Sequence, residues 1–150
     1  MKTAVIAIGG NAILKPKEQG SKLEHCANLQ ITCTHIAELI REGYDIVLTH
    51  GNGPQVGNIV LQNELVRDKL PPMPLDVCVA ESEGMIGYLL QQILTNKLNE
   101  RKLNNIVVSI VTQVLVDKLD PAFKTPTKPI GHYYTKEEAI RLMKERDWKM

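Results

Sequence analysis

Thr49-His-Gly-Asn-Gly-Pro-Gln-Val-Gly57 follows the short apolar run Asp45-Ile-Val-Leu48 and leads into a segment with helical spacing. Gly51 and Gly53 bracket Asn52, and Pro54 comes next. Glycine permits the turns with φ > 0 that let backbone N–H groups converge on one point. Proline suits the first turn of a helix, where its missing N–H breaks no bond. Strand, glycine turn and helix N-terminus in that order make a place for an anion, because free amides and the helix dipole point the same way. A Gly-Asn-Gly standing alone is more often an ordinary tight turn. This one has a counterpart.

Upstream, Lys2 to Ile8 reads as a strand. Val5, Ile6 and Ile8 with two alanines form the near-continuous apolar run of a strand covered on both faces. It stops at Gly9-Gly10-Asn11, a second glycine turn directly after a strand. After the polar stretch from Lys15 to Gly20, Ser21-Lys-Leu-Glu24 has the form of a capping box and predicts a helix start. Leu29, Cys33, Ile36 and Ile40 then make one apolar stripe, and Gly43 supplies a stop. The second strand, Tyr44 to Thr49, follows at once. Strand, turn and helix, repeated, argue for right-handed crossovers in a parallel sheet.

Downstream, the helix from Pro54 carries Val56, Val60 and Leu61 inward and turns polar at Arg67-Asp68-Lys69. Pro71-Pro72-Met73-Pro74 is a rigid break. A helix is expected from about Asp76 to Glu100, with Ile86, Leu89, Leu90, Ile93 and Leu98 on its apolar side and Gly84 and Gly87 weakening its first half. Ile106 to Val116, the most apolar stretch and rich in β-branched residues, predicts a central strand. Asp117 to Tyr134 holds Pro121, Pro126, Pro129 and Gly131 without helical period, and reads as an excursion from the sheet. Thr135-Lys-Glu-Glu138 is another capping box and opens a short helix. The expected division is an α/β domain over 1–116, carrying both glycine turns, and a protruding, incomplete excursion over 117–150 that ends in a short helix.

A chain of 150 residues is long enough for one domain with a sizeable core. With 43% hydrophobic and 23% charged residues and a net charge of +1, composition points to neither a nucleic-acid nor a membrane surface. No apolar run approaches the ~20 residues needed to cross a bilayer. The N-terminal apolar run is short for a signal peptide and ends in Gly-Gly-Asn without a cleavage pattern, so it reads as a first β-strand. The unpaired cysteines suit a cytoplasmic protein. Cys26, Cys33 and Cys78 form no C-x-x-C pair and read as reduced, mostly buried thiols. His25, His35, His50 and His132 show no metal-ligand spacing, and no structural metal is predicted.

Two anion-binding turns on adjacent parallel strands would share the carboxyl edge of the sheet, where ligands bind in open α/β folds. There is no Walker A loop, no G-x-G-x-x-G and no G-x-S-x-G nucleophile elbow. The turns suit positioning and charge stabilisation, as in phosphoryl transfer, and need no covalent nucleophile. Ala7-Ile-Gly-Gly-Asn-Ala12, Thr49 to Gly57, Pro74-Leu-Asp-Val-Cys78, Gly84-Met-Ile-Gly-Tyr88 and Pro126-Thr-Lys-Pro-Ile-Gly131 occur in that order. Together they resemble the N-terminal half of carbamate kinase, in the amino acid kinase superfamily, over nearly the whole chain.

The resemblance implies a three-layer αβα sandwich around a mainly parallel open sheet, here apparently truncated. It also implies reversible transfer of a phosphoryl group between ATP and carbamate, giving ADP and carbamoyl phosphate, in arginine catabolism. Mg²⁺ with ATP/ADP and a homodimer are implied with it. By motif match, Gly9, Gly10 and Asn11 would hold the transferring phosphoryl group, and Gly51, Asn52 and Gly53 the carbamate end. Lys128 would reach in from the excursion as the catalytic cation, against its bland reading as a solvated loop lysine. The family's nucleotide-binding half follows the excursion, and this chain ends before it. Val79, Glu81, Glu83 and His132 depart from the family's usual residues.

Other residues near the turns carry quieter readings. His50 is expected to be a hydrogen-bonded structural histidine rather than a base. Asp117 and Asp120 suit turns and caps better than a metal, and Lys15 and Lys17 suit a solvated surface. Two rival functions stay open: another phosphotransferase of the superfamily with a changed acceptor, and a non-catalytic module that binds carbamoyl phosphate or another anion.

Overall fold

Parallel pairing of two strands places everything else. Strand β1 spans Lys2–Ile8 and β2 spans Tyr44–His50, in a register that runs from Lys2 opposite Tyr44 to Ile8 opposite His50. The computed structural model describes residues 2–128, 130 and 134–146. The connection between the strands contains α1, Gly10–Ile13, and α2, Lys22–Arg41. Beyond β2 come α3, Gly53–Leu65, and α4, Leu75–Glu100. A 3-10 turn at Pro121–Phe123 and α5, Lys136–Arg146, complete the described elements. The α/β class with a parallel open sheet is what the sequence pattern predicts.

The helix boundaries follow from local chemistry. Ser21 and Glu24 form the expected capping box: Ser21 Oγ accepts from the Glu24 N–H, and the Glu24 carboxylate accepts from the Ser21 N–H at 2.8 Å. These bonds hold the Glu24 carboxyl below the usual carboxylate range. Gly43 closes the link to β2 at φ +90°, a conformation that costs glycine nothing and other residues much. At the far end, Thr135 and Glu138 exchange the same reciprocal bonds at the start of α5.

The core lies between the sheet and the long helices. Leu29, Cys33, Ile36 and Ala37 of α2 meet Ile86, Leu89, Leu90, Ile93, Leu94 and Leu98 of α4, with Ile8 and Ile13 beside them. Every residue assigned to the apolar side of α4 is buried. Arg101 joins the far ends of the two helices through a 2.7 Å bond from Nε to Glu38 Oε1. Cys33 and Cys78 are buried thiols and Cys26 is half-buried, none of them in a disulfide. Burial pushes the Cys33 thiol up to about 11, so it stays protonated and inert at neutral pH.

Gly84 and Gly87 do not interrupt α4. At Gly87 the reason for glycine is packing, since a Cβ there would run into the Ser109 side chain. Ser109 belongs to the segment expected to be a central strand, and here the expectation fails. Among the described residues, Ile106 to Val116 has no strand partner and does not join the sheet, which contains only β1 and β2. The segment is held to α4 by side chains instead. Gln91 Nε2 donates to Val107 O at 3.0 Å, and the Thr112 N–H donates to Glu83 Oε2 at 2.9 Å. β-propensity is a preference for a pleated, half-buried surface, and no neighbouring strand supplies one. Leu115 is accordingly 100% exposed, and Val5 on the uncovered face of β1 is 71% exposed.

This contrast is measurable. Leu29→Ala should lower the free energy of unfolding by about 2–5 kcal/mol, because it opens a cavity in a closed core. Leu115→Ala should fall within about 0.5 kcal/mol of the parent, as for a surface position. Urea denaturation of both variants checks the pair. A large loss from Leu115→Ala would show that the segment packs in solution.

Candidate functional site

Because β1 and β2 are parallel and adjacent, the turns after them emerge side by side. Ile8 and His50 are register partners, and the Gly51 N–H donates to Ile8 O at 3.3 Å. Gly9 is the N-cap of α1, and Asn52 is the N-cap of α3, with Pro54 in the first turn. The structure thus brings Gly9, Gly10, Asn11, Gly51, Asn52 and Gly53 together at one carboxyl edge. Gly9, Gly10, Asn11 and Gly51 are exposed, and Asn52 and Gly53 are half-buried.

The glycines serve differently from the sequence expectation. Among the described residues, only Gly20 and Gly43 are glycines with φ > 0, so the turn at Gly51 and Gly53 needs no left-handed backbone. A Cβ on Gly9, Gly10, Gly51 or Gly53 would meet nothing within 4 Å. Their missing side chains leave open space above the strand ends, where an anion can come close to the backbone. The first N–H groups of α3 are free for such a ligand, since no side chain caps them.

Both turns are braced from behind. Asn28 of α2 donates to Ile13 O at 3.3 Å and to Glu18 Oε2 at 2.7 Å, which fastens the chain after the first turn. Behind the second turn, buried Gln55 meets buried His25, with 3.1 Å between Gln55 Nε2 and His25 Nε2. His25 Nδ1 lies 2.8 Å from Ser21 O, a carbonyl that can only accept. Nδ1 therefore carries a proton, and Nε2 faces the Gln55 amide. Asn52 Nδ2 donates to Ser82 Oγ at 2.7 Å across to α4. Ser82 is fully buried on the same stripe as Cys78 and Ile86. Sequence reading passed over Gln55, His25 and Ser82. The signal for Ser82 was a polar residue four places from apolar ones on both sides of an apolar stripe.

The remaining sequence candidates have other surroundings. Lys128 is exposed and makes no hydrogen bond or ion pair among the described residues. Its neighbours Pro129 and Gly131, and also His132, lie outside the described residues. His50 Nδ1 is 3.2 Å from Gly51 O, a structural contact as expected. Asp117 Oδ1 accepts from the Leu119 N–H and Asp120 Oδ1 from the Ala122 N–H, so both serve turns. Lys15 and Lys17 are exposed. Among the described residues no group of three His, Cys, Asp or Glu side chains could hold a metal ion. No described helix is long and apolar enough to cross a membrane.

An open α/β sheet with two bare glycine turns on neighbouring strands defines a class, and comparison with known proteins identifies it. The Amino acid kinase family matches residues 2–137, and the chain belongs to that family. It is similar to carbamate kinase from Pyrococcus furiosus, at 47% identity over 149 residues that make up 98% of this chain and 48% of that protein. Among solved structures, carbamate kinase from Giardia lamblia bound to citric acid superposes with a TM-score of 0.93 at 45% identity, over 99% of this chain and 48% of that one. The same Giardia enzyme bound to AMP-PNP gives a TM-score of 0.84 at 46% identity, over 99% of this chain and 47% of that one. The chain spans about half the length of the relatives it matches.

The bare turn makes a separable prediction. Gly51→Val should leave the melting temperature within about 3 °C, because the new side chain meets open space and the φ there is ordinary. It should abolish any stabilisation of the protein by phosphate-bearing ligands, read by thermal shift. Unimpaired ligand stabilisation would remove Gly51 from the site.

Proposed function

We propose that this chain is the acceptor- and phosphate-binding portion of a carbamate kinase, which transfers a phosphoryl group reversibly between ATP and carbamate. The observation that carries the reading is the pairing of two uncovered glycine turns at the ends of β1 and β2, one strand spacing apart. In this reading Gly9, Gly10 and Asn11 hold the transferring phosphoryl group. Gly51, Asn52 and Gly53 hold the carbamate end. Lys128, on the excursion over 117–150, supplies the positive charge.

The chemistry fits the parts. In phosphoryl transfer, charge spreads over three phosphoryl oxygens while the attacking and leaving oxygens stay in line. Oriented amides and a cation stabilise that charge without an acid or base, and they are worth most where their orientation is fixed in advance. The braces from Asn28, Gln55 and Ser82 provide such fixed orientation. The described residues near the turns offer amides rather than a carboxylate cluster, so Mg²⁺ would arrive with ATP or ADP. The AMP-PNP complex of the Giardia relative supports nucleotide use. Operation in arginine catabolism, a homodimer and a cytoplasmic location belong to the same proposal.

The test is ATP formation from carbamoyl phosphate and Mg-ADP by a chain of the relatives' full length that carries residues 1–150. Turnover is expected there, and activity only with a different acid would reassign the acceptor. Carbamoyl phosphate should raise the melting temperature of the 150-residue chain itself. Binding without turnover in the full-length context would favour a non-catalytic anion-binding module. In the active context, Lys128→Ala should lower kcat by about 100-fold or more while KM changes little, because the charge it meets develops during transfer. An unchanged kcat would take Lys128 out of the site.

A further inference from the structure

The hydrogen bonds behind the second turn fix which end of the Asn52 amide is free. Ser82 Oγ lies 2.6 Å from Val79 O, one turn back on α4. A backbone carbonyl only accepts, so the single hydroxyl proton of Ser82 is committed to it. Ser82 Oγ can then act toward Asn52 only as an acceptor, and the 2.7 Å partner on Asn52 must be its Nδ2 amino group. Ser82 is fully buried, so no water competes for the arrangement. An N-cap asparagine ordinarily turns its Oδ1 onto the first helical N–H groups, but Asn52 makes no cap bond to α3. Among the described residues, Asn52 Oδ1 has no partner.

We infer that Ser82 is a positioning residue for substrate choice: it holds the Asn52 amide so that the turn offers one acceptor, Oδ1, among its N–H donors. An oxyanion gains from the donors and is repelled by Oδ1. An amino group gains from Oδ1. The pair therefore selects an acceptor substrate that carries N–H donors beside its oxyanion, as carbamate and carbamoyl phosphate do, over an isostere with a methyl or a second oxygen there. If Ser82 could rotate, Asn52 could offer its NH₂ instead and the preference would be lost. This inference rests on the proposed phosphate and carbamate site, and it assigns within that site which atom reads the amino group.

The experiment compares carbamoyl phosphate with acetyl phosphate, which replaces the amino group by a methyl of similar size. Apparent Kd values come from thermal shift or calorimetry on the 150-residue chain. The parent should prefer carbamoyl phosphate by about tenfold, the worth of one hydrogen bond. Ser82→Ala should bring that ratio close to one by weakening carbamoyl phosphate binding more than acetyl phosphate binding. Asn52→Ala, at a half-buried turn position, should do the same and decides the matter if Ser82→Ala folds poorly. Equal affinities in the parent, or a preference unchanged in Asn52→Ala, would overturn the inference while leaving the anion site intact. Failure of both ligands to bind the parent would instead overturn the proposed function, and the inference with it.

Discussion

The in-register pairing of β1 with β2 is the constraint on which the rest depends. Parallel strands joined by a crossover must end at the same edge of a sheet. With Ile8 opposite His50, the two glycine turns begin at neighbouring positions. A shift of one residue would exchange the faces of the strand, exposing Ile6 and Ile8 and burying Val5 and Ala7. The apolar contacts of α2 and α4 under Ile8 therefore hold the register, and the register holds the site.

The core that does this is one-sided. The α2 and α4 helices bury their stripes against each other and against one sheet face, and the opposite face is left with Val5 exposed. The same geometry accounts for 106–116. That segment has the composition of a central strand, yet it is held along α4, through Gln91, Glu83 and the bare backbone at Gly87, with Val107 packed on the core. Composition of this kind expresses a fitness for burial between layers, which strand neighbours must supply.

Buried polar groups behind the turns show how a site of bare backbone is kept in shape. The glycines of these turns have no side chains with which to fix themselves. Fixation comes from Asn28, from the His25–Gln55 pair and from Ser82, all on elements packed into the core. Asn28, His25, Gln55 and Ser82 are all buried, and each makes a hydrogen bond there. The result is an open surface over a rigid floor, an arrangement suited to stabilising charge that develops in a ligand.

Local patterns in the sequence determined much of this protein. The apolar stripe Leu29-Cys33-Ile36 marks α2, the capping box at Ser21 marks its start, and Gly43 marks its end. Strand-turn-helix order, read twice, is enough to infer a parallel sheet with two glycine turns at one edge. These signals are legible because each depends on residues within a few positions of one another. Tertiary structure alone decided the status of Ile106 to Val116, the open space above Gly51 and Gly53, and the hydrogen bonds of Gln55 and Ser82. Pairing of a strand, openness above a turn and the partner of a buried hydroxyl all depend on residues distant in the chain. Ser82 meets Asn52 thirty positions away, and only folding brings those atoms within hydrogen-bond reach.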